Sequence, residues 1–172
     1  MVARWRPVHL GHAAVLAGLQ RWADTVKIGV GSSETYDARN PFTYAEVVRM
    51  IGLVAPTVEV VAVPDLHDGP RWRSMVVERF GALDAFVTAN SYVRDLLQND
   101  YPVLHPVHLV APEARTRLDA TTVRRAMVLG DTWRDMVPAA VAELLEAEGV
   151  PQRVRREFGS AILADGPAPL TG

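Results

Sequence analysis

The sequence predicts an α/β fold: a doubly wound parallel sheet of about five strands, with helices closing the C-terminal end. Two observations carry this. Short apolar runs alternate with helical patterns of about ten residues, the signature of parallel strands joined by right-handed crossovers. The residues able to do chemistry cluster just past the strand-like runs, at Arg4–His12, Gly31–Ser33, Pro64–Trp72 and Thr88–Asn90. Ligands bind at that edge of such sheets. At 172 residues the chain is one domain by length, read as residues 1–163 with a Gly/Pro-rich, frayed tail at 164–172.

The elements follow in order. Val2, Ala3 and Trp5 form a short apolar lead-in, which Pro7 ends by removing a donor. Ala13, Ala14, Val15, Leu16, Leu19 and Trp22 place one apolar stripe on a helix. Thr25–Val30 reads as a buried strand that Gly31-Ser32-Ser33 ends. Thr43 and Glu46 fit a capping box for a helix through Val47, Met50, Ile51 and Val54, stopped before Pro56. Val58–Val63 is the next strand, and the loop His67-Asp68-Gly69-Pro70 leads to a helix over Trp72–Phe80. Asp84–Thr88 is a fourth strand, and Asn90-Ser91 opens a helix through Leu97. Tyr101–Val110 holds Pro102 and Pro106, so it suits an edge strand. Asp119 caps a helix that Gly130 closes, Pro138–Glu148 is amphipathic, and a last helix spans Gln152–Leu163.

Composition narrows the function. Hydrophobic residues make up 49% and charged residues 22%, so the chain is globular rather than disordered. A net charge of −2 gives no general reason to expect nucleic acid as a partner. No cysteine means no disulfide and no thiolate site. Lys27 is the only lysine, which excludes a lysine-bearing P-loop. Gly29-Val30-Gly31 lacks the third glycine of a dinucleotide fingerprint, because Glu34 stands there. No run reaches membrane-spanning length and no signal-peptide core is present, so the expectation is a soluble, cytoplasmic protein with no membrane partner.

The stretch Arg4-Trp5-Arg6-Pro7-Val8-His9-Leu10-Gly11-His12 is the densest in chemistry. His9 and His12 are three apart at a helix opening, so both rings can lie on one side of its first turn. The free N–H groups there favour an anion, and Gly11 allows close approach of backbone to ligand. This combination points to a phosphate-handling site.

These residues carry a resemblance. His9-Leu10-Gly11-His12 resembles the His-x-Gly-His signature of the nucleotidylyltransferase superfamily, whose fold is Rossmann-like. With Arg4 and Pro7 the longer run resembles the archaeal-type nicotinamide-nucleotide adenylyltransferases, whose pattern reads Gly-Arg-Phe-Gln-Pro-Phe-His-x-Gly-His. Gly31-Ser32 with Asn40-Pro41-Phe42-Thr43, Pro64-Asp65-Leu66 with Trp72, Thr88-Ala89-Asn90, Ala120-Thr121-Thr122-Val123-Arg124-Arg125, and Trp133 with Val137-Pro138 match later segments of that family in order. The resemblance implies transfer of the adenylyl group of ATP to nicotinamide mononucleotide, giving NAD and pyrophosphate. It implies His9, His12 and Arg124 as phosphate donors, with Arg4, Gly11, Thr121 and Asn90 on ATP. It places Trp72, Leu66, Ser32 and Phe42 around the acceptor. Mg²⁺ would be held by the phosphates and not by protein ligands. The partners implied are small nucleotides, and relatives of this type are often homo-oligomers.

The chain also departs from that pattern. Ala3 replaces a glycine, Arg6 a glutamine and Val8 an aromatic residue. Gly69 falls where the family has an asparagine that bonds the carboxamide, and Asp119 replaces a serine. Other readings therefore stay open: the same chemistry with another acceptor or CTP, or a non-catalytic nucleotide-binding relative. An aminoacyl-tRNA synthetase fragment fits poorly, since one lysine cannot supply the second lysine-rich motif. Each residue also has a plain structural role available: His12 and Asn90 at helix starts, Arg124 on a surface turn, Trp72 in the core. His67, His105 and His108 show no metal spacing.

Overall fold

The computed structural model describes residues 1–165. In chain order it contains β1 (Val2–Ala3), α1 (Leu10–Trp22), β2 (Lys27–Gly31), α2 (Tyr44–Val54), β3 (Glu59–Val63), α3 (Gly69–Phe80), β4 (Phe86–Val87), α4 (Ser91–Leu97) and β5 (Val103–Leu104). After 3₁₀ turns at Pro106–Leu109 and Pro112–Ala114 come α5 (Ala120–Leu129), a 3₁₀ turn at Trp133–Met136, α6 (Ala139–Ala147) and α7 (Val150–Ala164).

All paired strands are parallel, as expected, but not in one sheet of five. β1, β2 and β3 form one ladder in that order, and β4 and β5 form a second. The reason lies in the lengths. β1 and β4 have two residues each. Beyond β1 the chain leaves extended geometry at Trp5, whose φ is 59°. The two ladders meet through packing instead. Val2 packs on the apolar cluster that contains Phe86, and Ala3 on the cluster that contains Val87.

Local chemistry explains most boundaries. Thr43 Oγ1 accepts from the Glu46 N–H at 3.3 Å and Glu46 returns the bond to the Thr43 N–H at 2.8 Å. Asp68 caps α3 by accepting from Arg71 N–H, with Pro70 in the first turn, so α3 begins before the expected Trp72. Gly130 closes α5 in the left-handed region at φ 79°. The fifth strand is only Val103–Leu104, because Pro106 turns the chain into a 3₁₀ helix. The final helix runs through Ala164, one residue into the tail expected to fray, and 166–172 lie outside the described residues.

Most of the core is one cluster that joins α1, α2, β2 and the C-terminal helices. Gly18 permits one close approach: a β-carbon there would overlap the Leu109 carbonyl oxygen. On the other side, α7 is tied to the segment before α2. Arg153 donates to both Glu46 carboxylate oxygens and to the Pro41 carbonyl.

Candidate active site

The carboxyl ends of the strands line a cleft of about 350 Å³. Arg4 follows β1, Gly31 and Ser32 end β2, Asp65 to Gly69 follow β3, and Thr88 and Asn90 follow β4. Trp72, Tyr92 and Leu96 wall the cleft from α3 and α4. Three non-glycine residues adopt positive φ: Trp5 at 59°, Ser32 at 52° and His67 at 51°. All three stand just past strand ends at this edge, where backbone strain of order 1–3 kcal/mol each persists only if the surroundings enforce it. Contacts at Ser32 show the enforcement. Its hydroxyl donates to Asp65 Oδ2 at 2.5 Å, and its carbonyl accepts from Arg6 Nη2 at 2.9 Å.

The two histidines form a unit at the start of α1. His9 is the N-cap: its Nδ1 accepts from the N–H groups of Gly11 and His12, while His12 Nδ1 accepts from the His9 N–H. The helix therefore starts at Leu10, earlier than the apolar stripe from Ala13 implied. With both Nδ1 atoms accepting, the ring protons sit on Nε2. The rings stack with centroids 3.7 Å apart. Burial pushes His9 down to about 4, against a weaker pull upward from Asp119. Burial, helped by His9, pushes His12 down to about 3, against a backbone hydrogen bond with Pro7. Both are neutral N–H dipoles at neutral pH. Gly11 packs closely here, since a β-carbon would lie 3.0 Å from His9 Cε1 and 3.1 Å from Thr116 Cγ2. Its open side faces a separate cavity shared with Ala14, Val107 and Thr116, not the cleft.

Arg124, in the first turns of α5, is buried. Its Nη1 donates to the Arg6 carbonyl at 3.0 Å and its Nη2 to Thr121 Oγ1 at 3.0 Å, while Nε has no partner among the described residues. Burial lowers its pKa first, and Asp119 acts against that most strongly. The same carboxylate raises His9, so Asp119 lies near both the histidine pair and Arg124. Its Oδ1 accepts from Thr122 N–H at 2.8 Å, making it the N-cap of α5.

Of the expected acceptor residues, Trp72, Leu66 and Ser32 line the cleft, as do Arg4 and Asn90. Phe42 does not: it is 0% exposed inside the main core, where the turn before α2 points it inward. Asn90 caps α4 through Oδ1, which accepts from Tyr92 and Val93 N–H, and also faces the cleft. His9, His12, Arg124 and Thr121 are not in its lining. The sequence assigns no site role to Arg6, Asp65 or Tyr92. Arg6 is 1% exposed, with its guanidinium on the Ser32 and Thr35 carbonyls. A buried arginine holding a loop leaves no local pattern, although its departure from the family's glutamine was visible. His67 lines the cleft, and no cluster of three metal-ligating side chains exists among the described residues.

Parallel strands in two ladders, a cleft along their carboxyl ends and a His-x-Gly-His helix start agree with the resemblance of the sequence to the nucleotidylyltransferase class. No family model matches the chain. It is 35% identical over 162 residues to a nicotinamide-nucleotide adenylyltransferase of Ignicoccus hospitalis, covering 88% of this chain and 92% of that one. It is 34% identical over 160 residues to the enzyme of that name from Thermococcus kodakarensis, covering 87% and 82%. The chain belongs to the nicotinamide-nucleotide adenylyltransferase family. Its fold is also that of a Francisella tularensis bifunctional NMN adenylyltransferase/ADP-ribose pyrophosphatase, solved with AMP and a manganese ion. The TM-score is 0.68 at 17% identity, with 98% of this chain and 56% of that chain covered. No helix among the described residues is long and apolar enough to cross a membrane.

Proposed function

We propose that the chain transfers the adenylyl group of ATP to nicotinamide mononucleotide, giving NAD and pyrophosphate. Family membership supports the reaction. The observation that carries the acceptor side is the cleft itself, a strand-end crevice with an indole wall at Trp72 and a cation at Arg4. An acceptor phosphate oxygen attacks the α-phosphorus in line, the bond to the β-phosphate oxygen breaks, and pyrophosphate departs. Negative charge grows on oxygens throughout, so the protein's task is positioning and fixed positive donors. His9 and His12 act as neutral Nε2–H donors, which keeps them in one protonation state across the working range. Arg124 and Arg4 supply the charge, their planar forks suiting phosphate. Thr121 orients Arg124 through its hydroxyl. Asp119 caps α5 with one carboxylate oxygen, and the Arg124 guanidinium beside it offsets part of the repulsion its charge would exert on a triphosphate. Mg²⁺ would enter with the nucleotide, held by its phosphate oxygens, and would neutralise part of the growing charge.

The test is pyrophosphate release with Mg²⁺, ATP or CTP, and nicotinamide mononucleotide or other phosphate monoesters. Release with ATP and nicotinamide mononucleotide is expected, and His12→Ala should lower the rate about a hundredfold. Near-full turnover of His12→Ala rejects the histidine role. Release only with CTP or another acceptor rejects the substrate assignment, and ATP binding without release for any acceptor rejects catalysis.

A further inference from the structure

We propose that Tyr92 is the specificity residue for the acceptor base: its hydroxyl, from α4, supplies the hydrogen bond that residue 69, a glycine, has no side chain to make from α3. This rests on the acceptor cleft of the proposed function and names the group that reads the acceptor there.

Gly69 and Trp72 are three apart on α3, so they present to one face of the helix and both line the cleft. A β-carbon at Gly69 would overlap the Tyr92 hydroxyl and would lie 3.4 Å from Tyr92 Cζ and 3.3 Å from Leu96 Cδ2. The phenol thus reaches across from α4 into the volume that a longer side chain at 69 would fill. Its seat is defined. The Tyr92 N–H donates to Asn90 Oδ1 at 2.9 Å, anchoring the first turn of α4, and Leu96 one turn on packs beside the ring position. Tyr92 keeps 61% of its surface exposed and lines the cleft, so its phenol is accessible to a bound molecule. Its hydroxyl is bonded to no other side chain among the described residues, while the neighbouring polar side chains Ser32 and Asp65 are already bonded to each other.

The chemistry suits one kind of ligand. Trp72 offers a flat face for an aromatic ring, Leu66 and Leu96 close the apolar sides, and the phenol can both donate and accept. An aromatic base bearing an exocyclic amide fits that set: the ring lies against the indole and the amide meets the hydroxyl. A site that hydrogen-bonds a substituent discriminates against analogues lacking it.

The test combines steady-state kinetics and calorimetric titration of nicotinamide mononucleotide on wild type, Tyr92→Phe, Gly69→Ala and the double variant. Tyr92→Phe should raise KM and Kd for nicotinamide mononucleotide about five- to tenfold, with kcat and the KM for ATP within twofold of wild type. It should have no effect with a pyridine mononucleotide that lacks the exocyclic amide, an outcome a merely structural role would not produce. Gly69→Ala should raise the same KM by displacing the hydroxyl, and should add nothing in the Tyr92→Phe background. Unchanged KM and Kd in Tyr92→Phe, with wild type active, overturn the Tyr92 role and leave the proposed function standing. A wild type that neither binds nicotinamide mononucleotide nor releases pyrophosphate overturns both.

Discussion

The buried histidine pair should make this protein lose stability in mild acid. Folding holds His9 at about 4 and His12 at about 3, both below the ordinary 6.5. The sign follows from proton counting. Below pH 6.5 the unfolded chain takes up protons that the folded chain refuses, so acid favours unfolding until the folded values are reached. The window therefore runs from about 6.5 down to about 3. At 1.36 kcal/mol per unit, moving from pH 7 to pH 5 costs about 2 kcal/mol per ring and about 4 kcal/mol for the pair. For a domain this size that is roughly a 10 °C fall in Tm. The decisive variant is His9→Asn. Asparagine is a good N-cap and can accept the Gly11 and His12 N–H bonds, so the helix start survives while one titrating group disappears. Denaturant unfolding of wild type and His9→Asn at pH 7, 6 and 5 is the assay. The variant should lose about half as much stability over that range. Parallel stability curves for the two proteins would show that His9 is not held neutral by the fold.

Gly18→Ala should destabilise by at least about 1–3 kcal/mol, because the new β-carbon meets the backbone oxygen of Leu109 and no rotamer relieves it; a Tm within 1–2 °C of wild type would be the wrong outcome. Arg153→Met should cost about 3–5 kcal/mol in chemical denaturation by leaving the buried Glu46 without its bidentate partner. Burial tends to raise Glu46, but the bonds from Arg153 and Thr43 outweigh it and hold the group low. Its stabilisation is thus present above the ordinary carboxylate range and lost as pH falls through the folded value, and Arg153→Met should flatten that acidic limb. Thr43→Ala removes the capping box of α2 and should cost about 1 kcal/mol, with turnover per folded molecule unchanged.

Much of the site was readable along the chain because its parts are short-range. The Thr43/Glu46 box, the Asp119 and Asn90 caps and the closing Gly130 each act over at most four residues. They stand where spacing placed them. The same holds for His9 and His12, although their mutual capping does not follow from spacing: histidine is not a usual N-cap, and the apolar stripe alone places the helix start at Ala13. The family motifs identified the family because they are dispersed and ordered.

Membership of the cleft was a different matter. Phe42 sits in a matching motif, yet the turn before α2 sends it into the core, while Ser32 of the same motif lies on the cleft wall. Arg6 reaches loop carbonyls 26 and 29 residues away, and Arg124 reaches the Arg6 carbonyl across 118. Tyr92 meets Gly69 only because α3 and α4 pack side by side. The division into two ladders likewise depends on how two-residue strands pack, not on their apolar pattern. Hydrophobic period and helix caps are set by neighbours along the backbone, and these the sequence specifies alone. Which side chains share a cavity is settled by contacts between distant segments, whose geometry exists only once the core has closed.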